Sequence, residues 1–390
     1  MQAPAEQIQV AELVVNQKTG EIRQAGADGS GAFITEFRRR CESSLYLFSK
    51  GVLGLDRMTK SLHAPACKFL SEFPPYRKLL LMPRDHLKTS ICRALAIHML
   101  LQPPESNMYI PNKEGASTRV LLANETATNA EHQLRWIALQ FEGNQLLRAL
   151  WPHRVWRNPR AEAKKWNEKE IVLPRSQDYP EASIETIGVG GAVTGRHYDV
   201  MIKDDLVTLE AANSVQQMLT AIEWHIASRA LMDDPDKSLE VIIGTRWAVH
   251  DLYEQIETSD PSVECLTRRV IEDGDPIFPE MFKHETIARL KSELGPLFPL
   301  LYMNSAADPE LVDFDMTRVR KFSIKDDLIH FSGTEDDLVI RDRLEEYGNR
   351  RKEQLNLTPQ HVGKRLTPEN FGLVMGLRED HLKVRRVRSV

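Results

Sequence analysis

Four short apolar runs constrain this chain more than anything else in it: LLLM (79–82), RVLLA (119–123), YDVMI (198–202) and LEVIIG (239–244). Each has the length and composition of a buried strand. Helical stretches follow them in turn: TSICRALAIHMLLQ (89–102), TNAEHQLRWIALQF (128–141), SVQQMLTAIEWHIASRALM (214–232) and HDLYEQIE (250–257). Strands alternating with helices predict an α/β fold with a mostly parallel sheet flanked by helices. EIVLP (170–174) and ASIET (182–186) read as a pair of strands in an edge excursion.

Composition narrows the function classes. With 390 residues and 42% apolar content the chain can build a real core, and its length suggests two or three domains. A net charge of −5 gives no general pull toward nucleic acid, so any such contact must be local. The four cysteines, Cys41, Cys67, Cys92 and Cys265, form no CxxC pair, which fits a reducing compartment rather than a disulfide framework or structural zinc. The histidines never cluster at metal-ligand spacing and read as surface or core residues. Nothing near Met1 reads as a signal peptide, and no segment has the ~18 consecutive apolar residues of a membrane span. The expectation is a cytoplasmic protein, not secreted and with no membrane partner.

The sequence divides into a Gly/Ala/Ser-containing flexible leader (1–33), a helical N-terminal region (34–75), the α/β domain (76–310) and a charged tail (311–390). In the helical region Phe37, Cys41, Leu45 and Phe48 share one face, and Arg38, Arg39 and Arg40 read as a solvated face. The tail is expected to carry short helical pieces such as 336–355. Its basic end, with Lys383, Arg385, Arg386 and Arg388, is either a phosphate contact or a solvated terminus.

The strand ends carry the chemistry. After LLLM comes PRDHLKTS (83–90). A phosphate loop needs a delivering strand, backbone N–H groups curled around oxyanions, and a helix N-terminus aimed at them. Lys88 and Thr89 occupy the Lys and hydroxyl positions of such a loop, where the Lys neutralises phosphates and the hydroxyl ligates Mg²⁺. The two usual glycine positions hold Met82 and Leu87, so by pattern alone a basic strand-to-helix turn is the simpler reading. YDVMIKDD (198–205) then ends in paired carboxylates in a Walker B arrangement, Asp204 to hold the metal and Asp205 to activate water. Lys203 inside that run is expected to escape the core. LEVIIG ends in Gly244-Thr245-Arg246-Trp247, where Thr245 can sense a γ-phosphate. Arg246 either relays that signal to a partner or DNA, or packs with Trp247 in a turn. Gly188, Gly190 and Gly191, before the Walker B strand, read either as a partner-facing loop or as a connector.

At these residues the sequence resembles the ATPase domain of the large terminase subunit of tailed bacteriophages. The resemblance is carried by PRDHLKTS, TGRHYDVMIKDDLV (194–207) and IIGTRWAVHDLY (242–253). It extends to SLHAPACKFL (61–70), RVLLANETATNAEHQLRWI (119–137) and FPLLYMNSAADPE (298–310), over roughly residues 35–322. It implies an ASCE-type P-loop NTPase sheet that binds ATP and Mg²⁺. Nucleotide contacts would come from Pro83, Arg84, Asp85, His86, Leu87, Lys88, Thr89, Ser90 and Thr245. Thr89 and Asp204 would hold the metal, and Asp205, Arg84 and Lys88 would be catalytic. Arg196 and Arg229 are candidates for an arginine acting in a neighbouring subunit.

The implied partners are double-stranded DNA gripped by its phosphates, a portal protein, a small terminase subunit, and further copies of the chain in a homo-oligomeric ring. The implied setting is the host cytoplasm, docked on a procapsid. Two departures stand out. Asp85 and Leu87 sit where relatives often have Gly, so a tighter loop is expected there, and Asp85 must point away from the phosphates or pair with Arg84. A complete RNase H-like nuclease is not expected either, because only about 80 residues follow residue 310. Asp313, Asp326, Asp327, Asp336 and Asp337 lack a strand context to converge them. A truncated, split or frameshifted terminase is therefore expected. Another P-loop DNA translocase or helicase, or a catalytically weak remnant, are the alternative readings.

Overall fold

The computed structural model describes residues 31–295 and 297–305, together with four short strands outside that range. The chain forms two compact units, residues 1–311 and 312–390. In the second, Phe322–Lys325 pairs antiparallel with Leu328–Phe331, a strand pair where the sequence suggested only helical pieces. The 336–355 helix, the five tail aspartates and the basic terminus lie outside the described residues. In the first unit, Leu13–Val15 pairs antiparallel with Ile22–Gln24 within the stretch read as a leader; the rest of that leader up to residue 30 also lies outside the described residues.

The first unit is built on seven strands: β1 (Arg77–Leu81), β2 (Val120–Asn124), β3 (Glu170–Ile171), β4 (Ile184–Gly188), β5 (Val200–Asp204), β6 (Leu239–Gly244) and β7 (Glu264–Thr267). Their order across the sheet is β3-β4-β2-β5-β6-β1-β7. All pairings are parallel except β3 with β4 at the edge. The edge excursion expected from EIVLP and ASIET is this antiparallel pair. β6 lies between β1, which leads into the 83–90 loop, and β5, which ends at the paired aspartates, the strand order expected of an ASCE-type P-loop sheet. β7 was not foreseen: ECLT is partly exposed and has no apolar run to mark it.

Helices cover both faces. One face packs α1 (Gly31–Glu42), α2 (Leu45–Gly51), α3 (Lys60–Ser71), α4 (Lys88–Leu100) and α5 (Ala127–Gly143), and its core includes Phe48, Leu70, Leu80, Leu95, Ile137 and Ile243. The other face packs α6 (Val215–Ala227) and α7 (Leu252–Ser259) through Met218, Trp224, Tyr253 and Ile256 onto Leu79, Leu81 and Ile242. Local signals start these helices. Ser44, Thr126, Ser214 and Asp251 accept hydrogen bonds from backbone N–H groups of α2, α5, α6 and α7 respectively. Two later helices, α8 (His284–Leu294) and α9 (Leu297–Met303), pack beside the C-terminal ends of β1 and β6. No described helix is long and apolar enough to cross a membrane.

Lys203 corrects a sequence expectation. It stays in the core, with no exposure, because Glu240 of the neighbouring strand lies 2.5 Å from its Nζ. Arg77 approaches the other Glu240 oxygen at 2.7 Å, and Arg229 stands 3.6 Å away. Burial pushes the Glu240 carboxyl up, but Lys203 and Arg77 outweigh it and hold it at about 2. Leaving one member of such a pair alone costs about 3–5 kcal/mol, so the network fixes the β1–β6–β5 register beneath α6.

Four histidines are buried and neutral. Burial lowers His63, His86 and His98 to about 4 and, with the Lys203 charge beside it, His225 to about 3, from an ordinary value of 6.5. The unfolded chain takes up protons at these sites below about pH 6.5 and the folded chain does not, so stability falls as pH drops. Each histidine contributes about 1.4 kcal/mol per pH unit between about pH 6.5 and pH 4. Urea midpoints measured across that window should fall steeply, and His98→Gln, which keeps polar groups near the Tyr109 hydroxyl and the Cys41 carbonyl, should flatten the slope. A midpoint independent of pH from 7 to 5 would contradict this.

Candidate active site

The loop from Met82 to Leu87 leaves β1 and enters α4 at Lys88. Asp85 and Leu87 both take left-handed backbone conformations, with φ of 63° and 62°. The glycine-free loop therefore adopts the geometry that glycine would make easy, correcting the expectation of a tighter one. Non-glycine residues there cost about 1–2 kcal/mol each, so outside contacts must hold them. Those contacts come from α9 and from the turn before α8. The Arg84 N–H donates to the Leu301 carbonyl at 2.9 Å. The Tyr302 hydroxyl hydrogen-bonds the Asp85 carboxylate. The His86 ring stacks on Phe282 at 4.6 Å, and its Nδ1–H donates to the Arg84 carbonyl at 2.8 Å. The FPLLYMNS segment thus braces the loop from outside.

Asp204 and Asp205 stand at the end of β5. Asp204 points toward α4 and α5: Gln133 Nε2 donates to its Oδ2 at 2.8 Å, and Thr89 hydrogen-bonds it from α4. The Asn124 amide donates to its backbone carbonyl at 2.6 Å. Asp205 turns the chain with φ 47°, pinned by its N–H to the Ile243 carbonyl at 2.9 Å. Lys88 Nζ lies 3.6 Å from Asp205 Oδ2. Burial, then the Asp205 charge, pushes the Asp204 carboxyl up to about 7, against Lys88, Thr89 and Gln133. The Oδ1 atoms of both aspartates are buried without a hydrogen-bond partner. Two orphaned carboxylate oxygens beside a threonine hydroxyl are a fitting donor set for a hard divalent cation, which would remove the burial cost. No cluster of three or more His, Cys, Asp or Glu side chains that could hold a metal occurs among the described residues.

Thr245 sits at the tip of β6 and donates to the Met82 carbonyl at 3.2 Å. The preceding Gly244 is required: a Cβ there would lie 2.3 Å from the Tyr253 ring. Arg84 lies over the Trp247 ring at 5.6 Å. Together these groups form one wall of a cleft of about 600 Å³ that exposes Arg84, Asp85, Leu87, Lys88, Thr89, Ser90, Asp205 and Thr245. Arg57, Phe282, Arg289 and Tyr302 also line it.

The sequence-based site residues thus divide. Lys88, Thr89, Asp204 and Asp205 come together, and Thr245 joins them. Pro83 and His86 are buried under the loop and do not line the cleft. Arg246 is turned inward, 2.9 Å from Asp251, in the packed turn rather than presented outward. Arg229 is tied to Asp260 at 2.5 Å and to Glu240, while Arg196 is half-exposed and paired with Glu185. Sequence reasoning missed Gln133, Tyr302, Arg57 and Arg289. Gln133 had one available signal, its place on the inward face of the helix that follows β2.

No protein-family model matches the chain, and no curated protein matches it. Among solved structures, the Thermus phage P74-26 large terminase ATPase domain aligns with 66% of this chain and 97% of its own, at 12% identity and a TM-score of 0.40. The HK97 bacteriophage large terminase aligns with 71% of this chain and 51% of its own, at 15% identity and a TM-score of 0.36. This chain therefore spans about half the length of the second.

Two outcomes follow from the geometry. Asp85→Gly relieves a left-handed residue and removes a negative charge beside the loop, so inorganic triphosphate should bind about fivefold tighter at low salt, with the gain shrinking as salt rises. Titration calorimetry showing unchanged or weaker binding would count against this loop as the anion site. Gln133→Leu leaves the Asp204 carboxylate with no amide donor and should destabilise the fold by about 1–3 kcal/mol in urea at neutral pH. A variant as stable as the parent would show that the Gln133–Asp204 bond does no structural work.

Proposed function

We propose that this chain hydrolyses ATP and uses the energy to move double-stranded DNA, as the motor subunit of a viral terminase. The observation that carries the ATPase reading is the convergence of Lys88, Thr89 and Asp205 on one cleft, with Asp204 lining the cleft that adjoins it at Thr89 and Asp205, at the C-terminal ends of parallel strands, where open α/β sheets place ligands. The terminase reading is supported by the resemblance of the three strand-end motifs, and by the FPLLYMNS segment, part of the same resemblance, bracing the loop.

In this reading the loop N–H groups and the Lys88 ammonium hold the β- and γ-phosphates. Mg²⁺, when bound, neutralises charge on the phosphate oxygens, and Thr89 and Asp204 are the residues that would hold it. Gln133 keeps one Asp204 oxygen occupied, so the other faces the cation. Asp205 takes a proton from water as the water oxygen attacks the γ-phosphorus; the bond to the β–γ bridging oxygen breaks, and that oxygen leaves with ADP. Arg84 reaches the γ-phosphate from its place over Trp247, and Thr245 links that end of the cleft to the Met82 carbonyl of the loop. DNA is held through its phosphates, without sequence preference, because every base pair must pass. The chain works in a ring on a portal protein, with a small terminase subunit, at a procapsid in the host cytoplasm.

The test is steady-state hydrolysis of Mg·ATP with DNA and portal-bearing procapsids present. Lys88→Ala and Asp205→Asn should each lower kcat by about 10²-fold or more. A parent rate no higher than that of either variant would contradict the reading.

A further inference from the structure

A second polar cleft, of about 340 Å³, adjoins the first. The two share Arg84, Thr89, Asp205 and Trp247, so they meet beside Asp205 and not at Arg57 or Arg289, and Asp204 lines the second cleft alone. The second cleft runs from there between α4 and α5, past Arg93, Asn129 and His132.

Arg93 is the informative residue. It stands one helical turn beyond Thr89, on the same face of α4. Its guanidinium carbon lies 5.7 Å from the Trp136 ring centroid of α5. Its Nε is buried and has no hydrogen-bond partner, unlike the Nε of Arg119 and of Arg246, which donate to Asp199 and Asp251. An unpaired guanidinium donor beside Arg84 and the Asn129 amide is chemistry for a tetrahedral oxyanion.

We propose that this second cleft binds inorganic phosphate and is the route by which cleaved phosphate leaves while ADP still fills the first cleft. The inference rests on the proposed ATPase reading for the origin of the phosphate. The γ-phosphate lies at the shared wall, next to Asp205. Once its bond to ADP is broken, the way back is blocked by the diphosphate on Lys88, and the way forward leads past Arg93. No bond is made or broken in this step; the anion exchanges Asp205 and Lys88 for Arg93 and Asn129.

The test uses the full chain saturated with Mg·ADP and titrated with inorganic phosphate by calorimetry. Arg93→Met keeps an apolar stem against Trp136 and should weaken phosphate binding about tenfold, the loss of one charge-assisted hydrogen bond. Asn129→Ala, at an exposed position, should weaken it in the same direction and guards against a folding defect at Arg93. Stopped-flow release, read with a fluorescent phosphate-binding reporter, should lag behind cleavage measured by chemical quench in both variants. Equal phosphate affinity in parent and variants, release that keeps pace with cleavage, or no phosphate uptake by the ADP-bound parent each overturns the proposal. A parent that binds Mg·ADP and phosphate but cleaves no ATP instead overturns the ATPase reading, with the equilibrium titration still deciding whether the cleft holds phosphate.

Discussion

The structure depends on the pleat of one strand. Along β5, neighbouring side chains point to opposite faces. Lys203 therefore turns toward α6 and meets Glu240, while Asp204 turns toward α4 and α5 and meets Thr89 and Gln133. A single strand thus carries a buried ion pair on one face and a buried carboxylate on the other. The ion pair is a fixed cost of the fold, satisfied within it. The carboxylate is not fully satisfied: its Oδ1 has no partner, and burial holds its proton on until near neutral pH. That asymmetry separates structure from chemistry in this sheet, because only the unsatisfied face gains by taking up a cation.

The loop after β1 shows the same division of labour. Glycine would let the chain turn left-handed at no steric cost. Here Asp85 and Leu87 make those turns, in a loop held by Leu301 and Tyr302 from α9 and by Phe282 from the turn before α8. Asn304 extends the brace, accepting from the Arg246 N–H at 3.1 Å and donating to the Arg268 carbonyl at 2.9 Å. The loop, the β6 tip and the edge strand β7 are thereby tied to one short segment. Motion of that segment would reach the phosphate loop and the Thr245 tip together.

Much of this was legible in the sequence. The apolar runs located β1, β2, β5 and β6 within two residues, and the positions of Lys88, Thr89 and the paired aspartates at strand ends announced the site. What failed was whatever depends on residues distant in sequence. Lys203 was judged by its own charge, but its place is decided by Glu240, 37 residues away. The steric preference of Leu87 alone predicts a tighter loop, but Arg84, Asp85 and His86 beside it are held by residues more than 190 positions downstream. Arg246 was left open between signalling and packing, and the Asp251 carboxylate that holds it inward is also the N-cap of α7. Gln133 gave only the faint signal of helix periodicity, since a buried amide is as often a core partner as part of a site.

The central claim is that the orphaned oxygens of Asp204 and Asp205, with Thr89 and Lys88, form one seat for a metal-bound triphosphate. The most direct measurement is calorimetric binding of a non-hydrolysable ATP analogue, with and without Mg²⁺, to the parent and to Asp204→Asn. The account predicts binding to the parent that Mg²⁺ strengthens, and loss of that strengthening when the Asp204 carboxylate becomes an amide. Binding that is indifferent to Mg²⁺ in the parent, or equally strengthened by it in the variant, would contradict the account.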